Sequence, residues 1–172
     1  MKLLIVVDMQ NDFVTGTLGT VEAQAIIPKV LKKIESYSNH EDAIIYTRDT
    51  HHDNYYNTQE GKKLPVEHCI ISTPGWEIVD GLYKKGCMIV DKETFGSTWL
   101  PQYIASNYRG RIDSIEVIGL CTDVCVISNC MILKAHFPEL PIRVDSACCA
   151  GVTPETHINA LRAMEMCQID II

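Results

Sequence analysis

The sequence predicts an α/β fold, a parallel sheet with helices packed on both faces. Two observations carry this reading. β-rich apolar runs alternate with segments of helical spacing along all 172 residues. The runs are also near-continuous in apolar residues, as strands buried on both faces are. No repeat, low-complexity segment or linker interrupts the alternation. Residues 1–172 therefore read as one domain with a substantial core.

The elements follow in order. Residues 3–7, Leu-Leu-Ile-Val-Val, are the first strand. Ile27, Val30, Leu31 and Ile34 recur at helical spacing after an entry marked by Pro28. Residues 42–48, with Ala-Ile-Ile-Tyr-Thr, are a second strand, and a long polar stretch without elements runs from Asp49 to about Gly75. A short helix is expected after Pro74-Gly75-Trp76. Residues 88–90 are a third strand, 98–107 a helix and 114–119 a fourth strand. Residues 123–136 are helical, with Cys125, Ser128, Ile132 and Ala135 on one face and Thr122 or Asp123 as the cap. Residues 142–144 are a fifth strand. Thr153-Pro154-Glu155 opens the last helix with a cap hydroxyl, a first-position proline and an acid in the first turn. Residues 169–172 are a sixth strand.

Composition excludes several classes of function. Net charge is −7 without any block of basic residues, which argues against nucleic acid and anionic membranes as partners. The 3–7 run is too short to span a bilayer and lacks a small-residue cleavage site, so a cytoplasmic protein is expected. Eight cysteines in such a chain read as free thiols, mostly small core residues, and no pair has the spacing of a zinc ribbon or a thioredoxin-type site.

Ligands of a parallel α/β sheet bind outside the carboxyl ends of its strands. Asp8 ends the first strand, Asp49 and His51 follow the second, Lys92 follows the third, and Cys125 comes shortly after the fourth. Alone, each has a bland reading: a turn aspartate, a solvated lysine, a core cysteine. Together they bring an acid, an amine and a thiol to one edge. A thiol attacks carbonyls as the thiolate. A helix N-terminus and the Lys92 cation would lower the Cys125 pKa. Asp8 would take the proton and return it to a leaving amine. Backbone N–H groups near Cys121 and Cys125 are candidates for an oxyanion hole.

Asp49, His51 and the later His68 form a second constellation. Two imidazoles and a carboxylate with open positions suit zinc, iron(II) or manganese. The alternative is a polar surface loop with incidental histidines, which is how His40, His52, His136 and His157 read. A long loop without elements is more often functional than not.

These residues resemble the isochorismatase-like cysteine hydrolases, and within them the nicotinamidase branch. The resemblance covers nearly the whole chain. It rests on Val7-Asp8-Met9-Gln10-Asn11-Asp12-Phe13, Thr47-Arg48-Asp49-Thr50-His51, Pro65-Val66-Glu67-His68-Cys69 with Thr73-Pro74-Gly75, Asp91-Lys92, Phe95-Gly96-Ser97-Thr98, and Gly119-Leu120-Cys121-Thr122-Asp123-Val124-Cys125-Val126. It implies a three-layer α/β/α, Rossmann-like, six-stranded parallel sheet and a catalytic triad of Asp8, Lys92 and Cys125. It also implies a cis peptide at Leu120–Cys121 and oxyanion N–H groups on Cys121 and Cys125.

The resemblance further implies a divalent metal ion, zinc first and iron or manganese next, on Asp49, His51 and His68. Phe13 matches a position that packs on the substrate ring, and Leu64 stands where many members carry tryptophan. Asn54, Tyr55 and Tyr56 occupy the region where many carry a further metal-loop histidine. The implied reaction converts nicotinamide and water to nicotinate and ammonia through a thioester, in NAD salvage, in a homo-oligomer. Two alternatives stand beside it: an amidase for another small amide or carbamoyl compound, and a non-catalytic relative. Isochorismatase chemistry does not use the cysteine, so the intact set argues against it.

Overall fold

The computed structural model describes residues 1–37 and 42–172. His40 lies outside the described residues. Strands β1 (Lys2–Val7), β2 (Ala43–Asp49), β3 (Met88–Lys92), β4 (Ser114–Leu120), β5 (Ile142–Ala150) and β6 (Asp170–Ile171) form one sheet in the order β3-β2-β1-β4-β5-β6. Every adjacent pair is parallel. The described helices are α1 (Asn11–Val14), α2 (Val21–Ser36), α3 (Gln59–Lys63), α4 (Trp99–Tyr108), α5 (Ile127–His136) and α6 (Pro154–Met166).

The alternate residues of β1 show why the fold has three layers. Leu4 and Val6 pack with Ala23, Ile26, Val30 and Ile34 of α2. Leu3, Ile5 and Val7 pack with Leu100 and Ile104 of α4, Leu133 of α5 and Met164 of α6. These five residues of β1 are all fully buried. Each such side chain contributes about 1.5–3 kcal/mol of apolar burial, so the central strand tolerates no polar face.

Strand order reverses at β1, which lies between β2 and β4. Such a switch point opens a crevice at the carboxyl ends of the strands. β4 approaches β1 closely there because residue 119 is glycine. Its φ is +118°, and a Cβ would stand 2.1 Å from the Val7 carbonyl oxygen. Asp8 follows immediately, with φ +46°, where the chain leaves the sheet.

Four local expectations need correction. The second helix starts at Val21, where Thr20 caps it by accepting the Ala23 N–H, and Pro28 lies inside it. The polar stretch after Asp49 holds a 3₁₀ turn at Tyr55–Asn57 and the short α3, whose cap Thr58 accepts the Gly61 N–H. An element this short and polar has no apolar period to read. No helix follows Pro74: the chain turns and bridges back, Gln10 opposite Ile78.

The fourth correction concerns the helix after β4. It opens with a π-type turn, Thr122–Val126, whose wider winding rotates the buried face. Cys125, Val126, Asn129, Cys130 and Leu133 are buried, while Ser128 and Ile132 are half-buried and Ala135 is exposed. No helix of the described residues is long and apolar enough to cross a membrane.

Candidate active site

The ends of β1, β2 and β3 and the π-type turn after β4 bring four reactive side chains together. Lys92 Nζ lies 2.7 Å from Asp8 Oδ2, 3.3 Å from Asp49 Oδ1 and 3.5 Å from Cys125 Sγ. All four residues are buried. Thr47 donates to Asp8 Oδ1 at 2.6 Å and fixes that carboxyl. The register supplies the geometry, since Val7 pairs with both Thr47 and Gly119, and Asp49 pairs with Lys92.

The electrostatics follow from burial. Burial pushes the Asp8 carboxyl above its ordinary value, with Lys92 pulling the other way. Burial pulls Lys92 down, but Asp8, Cys125 and Asp49 outweigh it and hold the ammonium charged. The Cys125 thiol was expected below its ordinary value. It lies well above, because burial and the Asp8 charge outweigh Lys92. At rest the thiol keeps its proton, with an acid of raised pKa beside it. That pairing suits a transfer from sulfur to Asp8 on demand.

The cap assignments also change. Neither Thr122 nor Asp123 makes a side-chain cap bond. Thr122 Oγ1 lies 2.8 Å from His157 Nδ1, and the Asp123 carboxylate accepts the Val152 N–H at 3.1 and 3.2 Å. His157, read as incidental, therefore has a buried partner. The Leu120–Cys121 peptide is cis. The Cys121 carbonyl accepts the N–H groups of Val124 and Val126 at 3.1 and 3.0 Å, so the turn closes around Cys125.

Beside this group, ligand atoms of Asp49, His51, Glu60 and His68 all lie within 4.8 Å of one another. Glu60 was not legible as a candidate. It sits on α3, and its helical spacing brings no other ligand type near it in sequence. The residues fit a divalent cation. His51 Nε2 is buried without a hydrogen-bond partner, although Asp49 Oδ2 is 2.9 Å away. His68 Nδ1 bonds the Val66 carbonyl at 2.9 Å, which turns Nε2 toward Asp49 at 3.6 Å and Glu60 at 3.5 Å. Two imidazoles and two carboxylates suit zinc, iron(II) or manganese.

The two acids also act on His68. Burial pulls it down, but the nearby Asp49 and Glu60 carboxylates outweigh that and push it up to about 10. Burial raises Asp49, but His51, His68 and Lys92 hold it well below the usual carboxylate range.

Gln10 and Asp12 position this loop, and sequence reasoning assigned neither. The Gln10 amide takes the Asp49 N–H at 2.7 Å and donates to the carbonyls of Asp49 and Trp76 at 2.8 Å. Asp12 accepts the Cys69 N–H at 2.7 Å, next to His68.

A cavity of about 300 Å³ opens onto both groups. Cys125, Cys121, Asp49, Glu60 and His68 line one side, and Phe13, Leu64 and Phe95 line the apolar walls. The Phe13 ring lies 5.5 Å from that of His68. Leu64 is at the rim, 38% exposed, with its carbonyl held by the Tyr55 hydroxyl at 2.8 Å. His52 pairs with Glu93 on the exposed surface, outside the donor cluster.

A doubly covered parallel sheet with buried acid, amine and thiol at its switch point defines an α/β enzyme of the hydrolase kind. The chain belongs to the isochorismatase family: the Isochorismatase domain matches residues 2–172. It is 25% identical over 192 residues to the nicotinamidase/pyrazinamidase of Mycobacterium tuberculosis, covering 100% of this chain and 98% of that one. The pyrazinamidase of Pyrococcus horikoshii, solved in complex with zinc, superposes with a TM-score of 0.85 at 29% identity, over 99% of this chain and 98% of that one. The pyrazinamidase/nicotinamidase of Streptococcus mutans gives 0.85 at 24% identity, with both chains covered fully. With this family and these relatives over its length, the chain is a hydrolase of non-peptide C–N bonds.

Proposed function

We propose that the chain is a cysteine-dependent nicotinamidase, with Asp8, Lys92 and Cys125 as its catalytic residues. One observation carries this reading: Lys92 Nζ reaches both Asp8 Oδ2 and Cys125 Sγ at the wall of an apolar cavity that fits a small aromatic amide. Asp8 takes the thiol proton as sulfur attacks the carboxamide carbon. The N–H groups of Cys121 and Cys125 receive the carbonyl oxygen as it gains charge. Lys92 stays charged throughout and balances the anion that moves between sulfur and Asp8. Asp8 then returns the proton to the amine, ammonia leaves, and a thioester remains. Water activated by Asp8 attacks that thioester, and nicotinate departs.

Phe13 packs on the substrate ring, and Leu64 closes the rim. Asp49, His51, Glu60 and His68 would hold a divalent ion, zinc first. When bound, it supplies an electrophilic anchor for a ring nitrogen. Eight free thiols suit the reducing cytosol, and the homo-oligomer implied by the family resemblance is read by sedimentation.

The test is ammonia release from nicotinamide, wild type beside Cys125→Ala, after loading with zinc, iron(II) or manganese. Release that needs both the thiol and the metal is the expected outcome. Release that persists in Cys125→Ala would overturn the mechanism. No release from folded, metal-loaded wild type would overturn the substrate and move the search to other small amides and carbamoyl compounds.

A further inference from the structure

The π-type turn that follows Cys121 and carries Cys125 is braced from a distant helix. Thr122, between them, is fully buried, and its hydroxyl meets His157 of α6 at 2.8 Å. The His157 backbone is itself fixed. Its N–H donates to the Thr153 carbonyl at 3.0 Å, and a Cβ at Gly151 would stand 2.8 Å from the His157 nitrogen. Helix α6 thus sits directly on the corner that follows β5, and only a glycine at 151 permits that approach. The same corner holds the next residue of the turn, since the Val152 N–H donates to Asp123.

We propose that His157 is a positioning residue for the oxyanion hole, acting through Thr122. The inference rests on the reading of Cys121 and Cys125 given above. The Thr122 hydroxyl belongs to the residue directly after Cys121. Holding it fixes the Cys121–Thr122 peptide, whose carbonyl accepts the Val124 and Val126 N–H groups on either side of Cys125, and with them the direction of the Cys125 N–H. The Asn129 amide does the corresponding work on the other flank, donating to the Cys125 carbonyl at 2.8 Å. The hole is therefore held from two sides, by α5 and by α6. A donor aimed at a developing oxyanion matters most in the transition state, so the brace acts on kcat more than on KM.

The experiment is a double-mutant cycle with Thr122→Val and His157→Leu, which remove the hydrogen bond while keeping side-chain bulk. A third variant, His157→Asn, keeps an amide near the position of Nδ1. Two readouts are taken on metal-loaded protein: nicotinamide turnover, and the affinity for pyridine-3-carbaldehyde by calorimetry. The aldehyde adds the Cys125 thiol across its C=O bond. The S–C bond forms, the π bond breaks, and the proton balances the new oxygen, which sits where the oxyanion would. Thermal melts accompany each variant.

Each single variant should lower kcat about 10- to 100-fold with KM within about threefold, the range for a displaced rather than deleted donor. Aldehyde affinity should fall in parallel. The double variant should be no worse than the singles, because both remove one contact, and His157→Asn should recover most of the loss. Losses that add in the double variant, a change in KM alone, or wild-type kcat in both singles would overturn the brace. Wild type that binds the aldehyde without hydrolysing nicotinamide sinks only the substrate, and the aldehyde still tests the brace. Wild type that does neither sinks the oxyanion reading and the brace with it.

Discussion

Replacing Gln10 with leucine should cost the protein much of its stability and the proposed metal site together. Strand β1 stops at Val7, opposite Thr47, two residues before β2 stops at Asp49. The Asp49 peptide groups on that side have lost their strand partner. The Gln10 side chain takes its place, accepting the Asp49 N–H at 2.7 Å and donating to the Asp49 and Trp76 carbonyls at 2.8 Å. It is fully buried, so water does not substitute readily. Leucine has similar volume and none of the three bonds. Each buried group left unpaired costs about 1–3 kcal/mol, with carbonyls at the low end, so the sum is about 3–6 kcal/mol. Against a total of about 5–15 kcal/mol for a domain, that is a large fraction.

At about 2–4 °C per kcal/mol for a chain of this size, the midpoint should fall by about 6–24 °C. Differential scanning calorimetry reads this directly, with Gln24→Leu on the exposed face of α2 as the control that should barely shift. Metal content after equal exposure to zinc should fall as well, because Asp49 loses both of its backbone anchors. A shift below about 3 °C with full metal content would refute the reasoning.

Glu60→Gln keeps the shape of the fourth donor and removes its charge. Zinc affinity by titration should weaken about tenfold or more, and an unchanged affinity would remove Glu60 from the donor set. Alkaline pH should destabilise the fold. Lys33, held by Asp145 and Glu116 against the pull of burial, lies above its ordinary value. Burial also raises Tyr37, pushes Tyr46 up to about 12 and pushes Cys148 up to about 12. In each case the folded state keeps its proton after the unfolded chain has lost it. The stability they contribute is full below the unfolded values, about 8.5 for the thiol and about 10 for the others, and is lost as pH rises through the folded ones. Melting midpoints should therefore decline steadily above about pH 10, and a flat profile there would contradict the assignment.

The sheet was legible because its strands are short apolar runs and most of them are followed by a helical period. That pattern has one architecture compatible with right-handed crossovers. Asp8, Asp49, Lys92 and Cys125 were legible because strand ends in such a sheet converge. Glu60 was not, because α3 has no buried stripe to mark it as an element, so nothing in the chain aims its carboxylate. The Cys125 thiol was misjudged for a related reason. Spacing shows that a helix start and a lysine are near, but not that the site is closed off from water. Burial is a tertiary quantity, and here it outweighs both local effects. His157 looked like any helix histidine until Gly151 brought α6 down onto the turn.

The two clusters are coupled through Asp49. Its carboxylate faces the imidazoles on one side and Lys92, 3.3 Å away, on the other. Asp49 also raises the Cys125 thiol through space, as does Asp8, while Lys92 lowers it. A divalent ion held by Asp49, His51, Glu60 and His68 would neutralise the Asp49 charge. That removes one of the pushes on the thiol and leaves Lys92 to Asp8 and sulfur alone. The thiolate fraction at neutral pH should then rise on metal loading, without any change in the residues around sulfur. Iodoacetamide, with the Cys125 peptide followed by mass spectrometry, reads that fraction. Alkylation should be faster in zinc-loaded than in chelated protein, and Glu60→Gln should blunt the difference at the same zinc concentration. Equal rates in loaded and chelated wild type would show that Asp49 does not transmit the ion's charge, and that the two clusters work as neighbours only.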